Sequence, residues 1–262
     1  MSKKYTIRDI AKQAGVSVAT VSYVINNRDD QRISEETKKK VRQIINLLDY
    51  KPNSSAKSLA TNKTYNVALY YKREHSLYKR SEQLLVAEAL SSVLKQHGYH
   101  LLLQSDGDLN QIDYADAVFC YDTTTDYFCE VGDKNLIPLI AIDILMDTPF
   151  QLFFQVCTDY HKLKAQADAH FGDNNYTYCC LLPNNEEVKT LILNTFEKVC
   201  FIDSSLPAIT GNVVYNQVSL QTLMPSASYL IACDMQSKME QVFSCMEFAI
   251  NRVPDCTHKI FV

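Results

Sequence analysis

Residues 15–26 read Gly15-Val16-Ser17-Val18-Ala19-Thr20-Val21-Ser22-Tyr23-Val24-Ile25-Asn26, and the rest of the chain is best understood outward from them. Gly15 can supply a tight bend, and Ser17 can offer a side-chain oxygen to the first turn of the next element, so the run is a turn leading into a helix. On that helix Val21, Val24 and Ile25 share one face and turn inward, leaving Val18, Ala19, Ser22 and Tyr23 facing out near its start. Short apolar and hydroxyl side chains are odd on a solvated face. They suit thymine methyls and base edges in a major groove, while Ser17, Thr20 and Asn26 are placed to hydrogen-bond phosphates. An amphipathic helix pair with no such role would share the spacing, so the flanking sequence has to decide.

Upstream, Thr6 and Asp9 have the spacing of a capping box, which starts a helix at Ile7. Ile7, Ile10, Ala11 and Ala14 fall on one face of it, and Gly15 ends it. Downstream, Ser34 caps a third helix with Glu35 and Glu36 in its first turn, where the helix dipole favours anions. Val41, Ile44, Ile45 and Leu48 form its inward face. Three such helices make one small core. Pro52 then blocks continuation and pre-sets a short new helix in Pro52-Asn53-Ser54-Ser55-Ala56-Lys57-Ser58-Leu59-Ala60, too short to hold alone in water.

Charge separates this head from the remainder of the chain. The net charge of −4 hides a balance of +7 over residues 1–63 and −11 over residues 64–262. A basic head on an acidic body points to a polyanion partner for the head alone.

These residues together resemble the head and hinge of the lactose-repressor (LacI/GalR) family of bacterial transcription factors. The resemblance is carried by Thr6-Ile7-Arg8-Asp9-Ile10-Ala11, Ala14-Gly15-Val16-Ser17, Thr20-Val21-Ser22, Asn26, Tyr50, and the spacing Pro52-Asn53, Ala56, Leu59-Ala60. It implies that Val18, Ala19, Ser22 and Tyr23 read bases and that Ser17, Thr20, Asn26, Ser34 and Asn53 hold the DNA backbone, with Thr6 and Arg32 also among the DNA-binding residues. It implies that Leu59, with Ala56 and Lys57, wedges open a minor-groove step beside its dimer mate. Tyr23 stands where family members often carry Arg or His.

From Asn66 the grammar changes to short apolar runs alternating with helical patterns, the mark of an α/β body with a parallel sheet. Strands are expected at 66–71, 100–104, 117–121, 139–143, 152–156, 178–182, 199–202, 229–233 and 259–262, and helices at 81–97, 160–171, 186–198 and 236–250. The body resembles the family's periplasmic-binding-protein-like core of two Rossmann-like subdomains with an effector between them, through Ala141-Ile142-Asp143 with Thr148-Pro149, Thr158-Asp159-Tyr160, Leu230-Ile231-Ala232-Cys233-Asp234 and Arg252-Val253-Pro254-Asp255. The core reads as truncated: residues 104–116 leave room for a loop but no helix, and the family continues beyond Val262. The expected organisation is a helix-turn-helix head over 1–49, a hinge helix and linker over 50–63, and core subdomains over 64–157 and 158–262, the second incomplete.

The resemblance offers Asp143 and Asp234 as effector contacts, since hydroxyl-rich ligands need converging donors and acceptors. Ile192 occupies the position of the usual ligand arginine and Cys233 that of a frequent asparagine, so two or three sugar contacts are missing. The expected partners are an operator duplex, a second copy of the chain, and either a sugar-like effector or a protein co-regulator. A core serving dimerisation alone, or a ligand-binding protein with a borrowed head, are the alternatives.

No enzyme, metal centre or cofactor is expected. His161 and His170 are too far apart for an i, i+4 metal pair, and no nucleophile, base and orienter recur together. The nine cysteines lie between Cys120 and Cys256 without CxxC spacing and read as buried free thiols. Without an apolar run long enough to span a bilayer or a signal-like N-terminus, the expected address is the cytoplasm.

Overall fold

Thr6 starts the chain's first helix by exchanging hydrogen bonds with Asp9: Asp9 N–H donates to Thr6 Oγ1 at 3.4 Å, and Thr6 N–H donates back to Asp9 Oδ2 at 2.8 Å. Helix α1 (Ile7–Ala14) ends where Gly15 takes φ 70°, a conformation glycine adopts without the Cβ penalty. Helices α2 (Val18–Ile25) and α3 (Glu35–Leu47) come next, and Ile10, Ala11, Ala14, Val21, Val24 and Val41 meet in one buried cluster. In this computed structural model the described residues are 5–25, 28, 31–50, 63–105, 109, 111–147, 153–205, 210–231, 234–254 and 256–262. The chain divides into two compact units, Met1–Lys63 and Thr64–Val262.

The second unit holds two parallel sheets. Strand β1 (Asn66–Tyr71), helix α4 (Leu77–Gln96), β2 (His100–Ser105), β3 (Ala117–Tyr121), α5 (Thr125–Lys134), β4 (Leu139–Ile142) and β5 (Phe154–Cys157) build the first lobe. Helix α6 (Tyr160–Phe171), β6 (Tyr176–Leu181), α7 (Glu186–Thr195), β7 (Val199–Ile202), β8 (Asn212–Tyr215), a 3-10 turn (Val218–Leu220) and β9 (Tyr229–Leu230) build the second. Helix α8 (Met235–Ile250) and β10 (Lys259–Phe261) complete the chain. The sheet orders are β10-β5-β4-β3-β1-β2 and β7-β6-β8-β9, with every pairing parallel.

Because parallel strands need crossovers that cover both sheet faces, the central strands are apolar throughout. All five residues of β3 are buried. One face packs Val67, Leu69 and Phe119 against Val86, Leu90 and Leu94 of α4 and Met239, Val242 and Met246 of α8. The other packs Ala68, Val118 and Ala141 against Phe128 and Val131 of α5.

Several expectations need correction. Helix α5 and strand β8 were not anticipated, and α4 begins at Leu77, where Ser76 caps it, rather than at Ser81. The division at residue 158 also changes. Helix α8 packs on the first lobe's core and β10 pairs with β5, so residues 235–262 belong with the first sheet and the second lobe runs over 158–234. As expected, the described residues of 104–116 form no helix.

Candidate functional site

In the head, the two helix starts and the outward face of α2 form the candidate nucleic-acid surface. Ser17 Oγ accepts from Thr20 N–H at 3.0 Å and lies 2.9 Å from Thr20 Oγ1; Ser34 Oγ accepts from Thr37 N–H at 3.2 Å. Each serine thus organises a helix N-terminus, whose remaining N–H groups and dipole suit a phosphate. Val21 and Val24 are buried, whereas Val18 and Ala19 are exposed and Ser22 and Tyr23 half-buried. Thr6 and Ser34 are exposed as well, and Arg32 is exposed by comparison with the buried core of the head. Asn26, Asn53, Ala56, Lys57 and Leu59 lie outside the described residues.

The body's candidate site is the cleft between its lobes, at the C-terminal ends of the strands, where ligands bind in open α/β sheets. Asp122 and Asp143 come directly after β3 and β4 there with φ of 43° and 52°. Non-glycine residues are held in this left-handed region only where the surroundings over-determine them, and such positions gather at ligand clamps. The surroundings here are buried lysines. Lys238, 3% exposed, places its ammonium 2.6 Å from both Asp143 oxygens and 2.9 Å from Thr158 Oγ1. Lys79, 4% exposed, reaches Glu74 Oε1 at 3.3 Å and Asp122 Oδ2 at 3.4 Å.

The second lobe enters this network from the loop after β6. Asn184 N–H donates to Asp122 Oδ1 at 2.8 Å, and its side-chain amide donates to Asp122 O at 2.8 Å and Glu74 Oε1 at 2.6 Å. Beside it, Ser219 Oγ donates to Glu82 Oε2 at 2.6 Å, Asn185 reaches Thr125 Oγ1 at 3.2 Å, and Ser76 Oγ donates to the Asp203 carbonyl. Burial pushes the Asp122 carboxyl up to about 7 against the opposing pull of Lys79 and Asn184, and burial raises Glu82 as well. With these side chains in place the cleft keeps about 60 Å³ of free space. At about 10–15 Å³ of such space per water that is room for a handful of waters, against the roughly 300 Å³ at which ligand pockets begin.

Of the two effector contacts implied by resemblance, Asp143 lines the cleft but spends both oxygens on Lys238, and Asp234 is the N-cap of α8, accepting from Ser237 N–H at 2.9 Å. Ile192 lines the cleft and is buried. Sequence reasoning passed over Lys79, Glu82, Asn184 and Lys238. Their signal was there: Lys79 and Glu82 continue the stripe of Val86 and Leu90 on α4, and Lys238 that of Val242 and Cys245 on α8, so both helices carry charge in line with their buried faces.

Among the described residues no group of three His, Cys, Asp or Glu could hold a metal ion, and no helix is long and apolar enough to cross a membrane. Residues 6–53 match the family of bacterial regulatory proteins described as lacI. The chain is 35% identical over 103 residues to catabolite control protein A of Streptococcus mutans, covering 39% of this chain and 29% of that one. It is 32% identical over 154 residues to the HTH-type transcriptional repressor PurR of Pectobacterium carotovorum, covering 53% and 42%. The matched part thus spans less than half the length of these relatives. In fold, the lac repressor dimer bound to operator and the anti-inducer ONPF superposes with a TM-score of 0.59 at 12% identity, over 99% of this chain and 96% of that one.

Proposed function

We propose, from a head that matches the lacI family of bacterial regulatory proteins over residues 6–53, that this chain is a sequence-specific DNA-binding transcriptional repressor acting as a homodimer on a pseudo-palindromic operator. The observation that carries this reading is the outward face of α2, where Val18, Ala19, Ser22 and Tyr23 stand clear of the head's core between two serine-capped helix starts. Phosphates at Ser17, Thr20 and Ser34 set the register, and the α2 face reads base edges. Asn26, Arg32 and Asn53 add backbone contacts, while Ala56, Lys57 and Leu59 form the wedge over the central step. Bending the duplex there costs energy that the second head's contacts offset.

Selection of bound sites from random duplexes tests this reading. A twofold-symmetric consensus bound by a dimer is the expected result. A purified chain that stays monomeric and enriches no sequence at moderate salt removes the proposal.

A specific observation favours a second reading of the body, as a core that regulates without a sugar-like effector. The cleft's charged groups satisfy one another, and the space left is about a fifth of the roughly 300 Å³ at which ligand pockets begin. A thermal-shift screen with sugars, sugar phosphates, nucleosides and purines separates the two readings. A ligand that both shifts the midpoint and changes operator affinity restores a small-molecule effector.

A further inference from the structure

Cys179 on β6 and Cys200 on β7 are register partners in a parallel ladder. Neighbouring strands lie about 4.8 Å apart, which puts the two Cα atoms inside the roughly 4.4–6.8 Å range that a disulfide spans. Both side chains project to the same face of the second sheet. Cys179 packs with Leu181, Ile202, Val213 and Leu220, and Cys200 lies against that cluster, whereas Cys180 faces the opposite core. The Cys179 thiol donates to the Thr177 carbonyl at 4.0 Å, and each of the two thiols lies near enough to the other to influence its protonation. They differ in access: Cys179 is buried, while Cys200 is partly exposed on β7, the edge strand.

We propose that Cys179 and Cys200 are a reversible redox pair, closed to an intramolecular disulfide by hydrogen peroxide. The partly exposed Cys200 is the sulfur that meets the oxidant. Its thiolate attacks one peroxide oxygen, the O–O bond breaks, and hydroxide leaves and is protonated to water, giving Cys200 sulfenic acid. Cys179 then attacks that sulfur. The S–S bond forms, the S–O bond breaks, and the departing hydroxide takes up the Cys179 proton as a second water. The two sulfurs lose two electrons and the peroxide gains them. A dithiol reductant reverses the link. Burial raises both thiols, Cys179 to about 12, so reaction is slow at neutral pH and quickens as pH rises. The product pins the edge strand β7 to β6 three residues before Asp203, whose carbonyl receives Ser76 from the first lobe.

The test is peptide mapping of the full chain after hydrogen peroxide treatment at pH 7, 8 and 9, with free thiols alkylated before digestion. The expected product is one linked pair of peptides carrying Cys179 and Cys200, two hydrogens lighter than the reduced pair. It should form several-fold faster at pH 9 than at pH 7, vanish with dithiothreitol, and be absent in C200S. Recovery of Cys179 and Cys200 as separately alkylated residues overturns the proposal. So does conversion of Cys200 to sulfinic acid without a link, or oxidation confined to Cys129, Cys245 and Cys256.

Discussion

Asn184 enters the first lobe's acidic pocket with its backbone and its side chain together, both ending on Asp122. Asp122 in turn is held by Lys79, so a single residue of the second lobe completes a charge network that the first lobe builds. The arrangement closes the cleft through the chain's own groups. In ordinary cleft binding, a ligand would supply those donors. Asn184→Ala removes the side-chain amide that serves Asp122 and Glu74 and leaves buried acceptors without it. The expected cost is about 1–3 kcal/mol, with a larger radius of gyration by small-angle X-ray scattering as the lobes part. An unchanged radius would show that the remaining ties hold the lobes without Asn184.

Lys238→Met leaves the Asp143 carboxyl group with no ammonium beside it. Stripping one partner from a buried pair typically costs about 3–5 kcal/mol, and the lower end applies because the Asp143 side chain keeps 19% exposure. Adding Asp143→Asn to the same protein should recover most of the loss, since the uncompensated charge is gone. Urea midpoints of the two single variants and the double variant measure this directly. Additive losses would mean that the pair does not act as a unit.

The Asp122 carboxyl, raised from 3.8 to about 7, gives the body a pH dependence of fixed sign. Between those values the folded chain keeps a proton that the unfolded chain has released. Stability from this site is therefore full below about pH 4 and falls as pH rises towards 7, beyond which it is flat. Glu82, also raised, adds in the same direction. Denaturation midpoints of the wild type relative to Asp122→Asn should decline from pH 5 to pH 7 and level off by pH 8. A difference that grows with pH would contradict the assigned burial.

Much of this fold could be read from sequence because its signals are local. Thr6 with Asp9, Ser17 and Ser34 are caps that act within a turn and make the predicted bonds, and Gly15 takes the predicted bend. The apolar runs at 66–71 and 117–121 can only be buried strands at that length. Helix α5 was hidden because Thr125-Asp126-Tyr127-Phe128-Cys129 holds poor helix formers, with Gly132 further on; its stability comes from packing Phe128 and Val131 on the sheet. The return of α8 and β10 to the first sheet was invisible for another reason. Strand pairing between Lys259 and Gln155 is non-local, and no spacing rule records it. The cleft network fails in the same way, since Glu74, Asp122 and Asn184 are brought together only by the fold.

Gly15→Ala tests the turn that aims α2. An added Cβ meets no atom within 4 Å, so the whole penalty comes from holding alanine at φ 70°. That conformation costs an L-residue about 1–2 kcal/mol. The head is a small domain with a narrow stability margin. Its thermal midpoint should therefore drop by several degrees while that of the body does not move. A common shift of both transitions would mean that the two units melt together.

Arg32 and Tyr23 should fail in opposite ways if the head reads DNA as proposed. Arg32 is basic and lies outside the head's core, suited to a phosphate, so Arg32→Ala should weaken binding to every duplex alike and lower the slope of log K against log salt by about 0.9 for each phosphate released. Tyr23 projects from the reading face of α2. Replacing it with Ala should cost about 1–3 kcal/mol on the preferred site, change the consensus at the base pairs it faces, and leave the salt slope as it was. Fluorescence anisotropy on a matched and a scrambled duplex, titrated across salt for both variants, resolves the two patterns. If Tyr23→Ala instead weakened both duplexes equally, Tyr23 would be holding the backbone, and base readout would have to rest on Val18, Ala19 and Ser22.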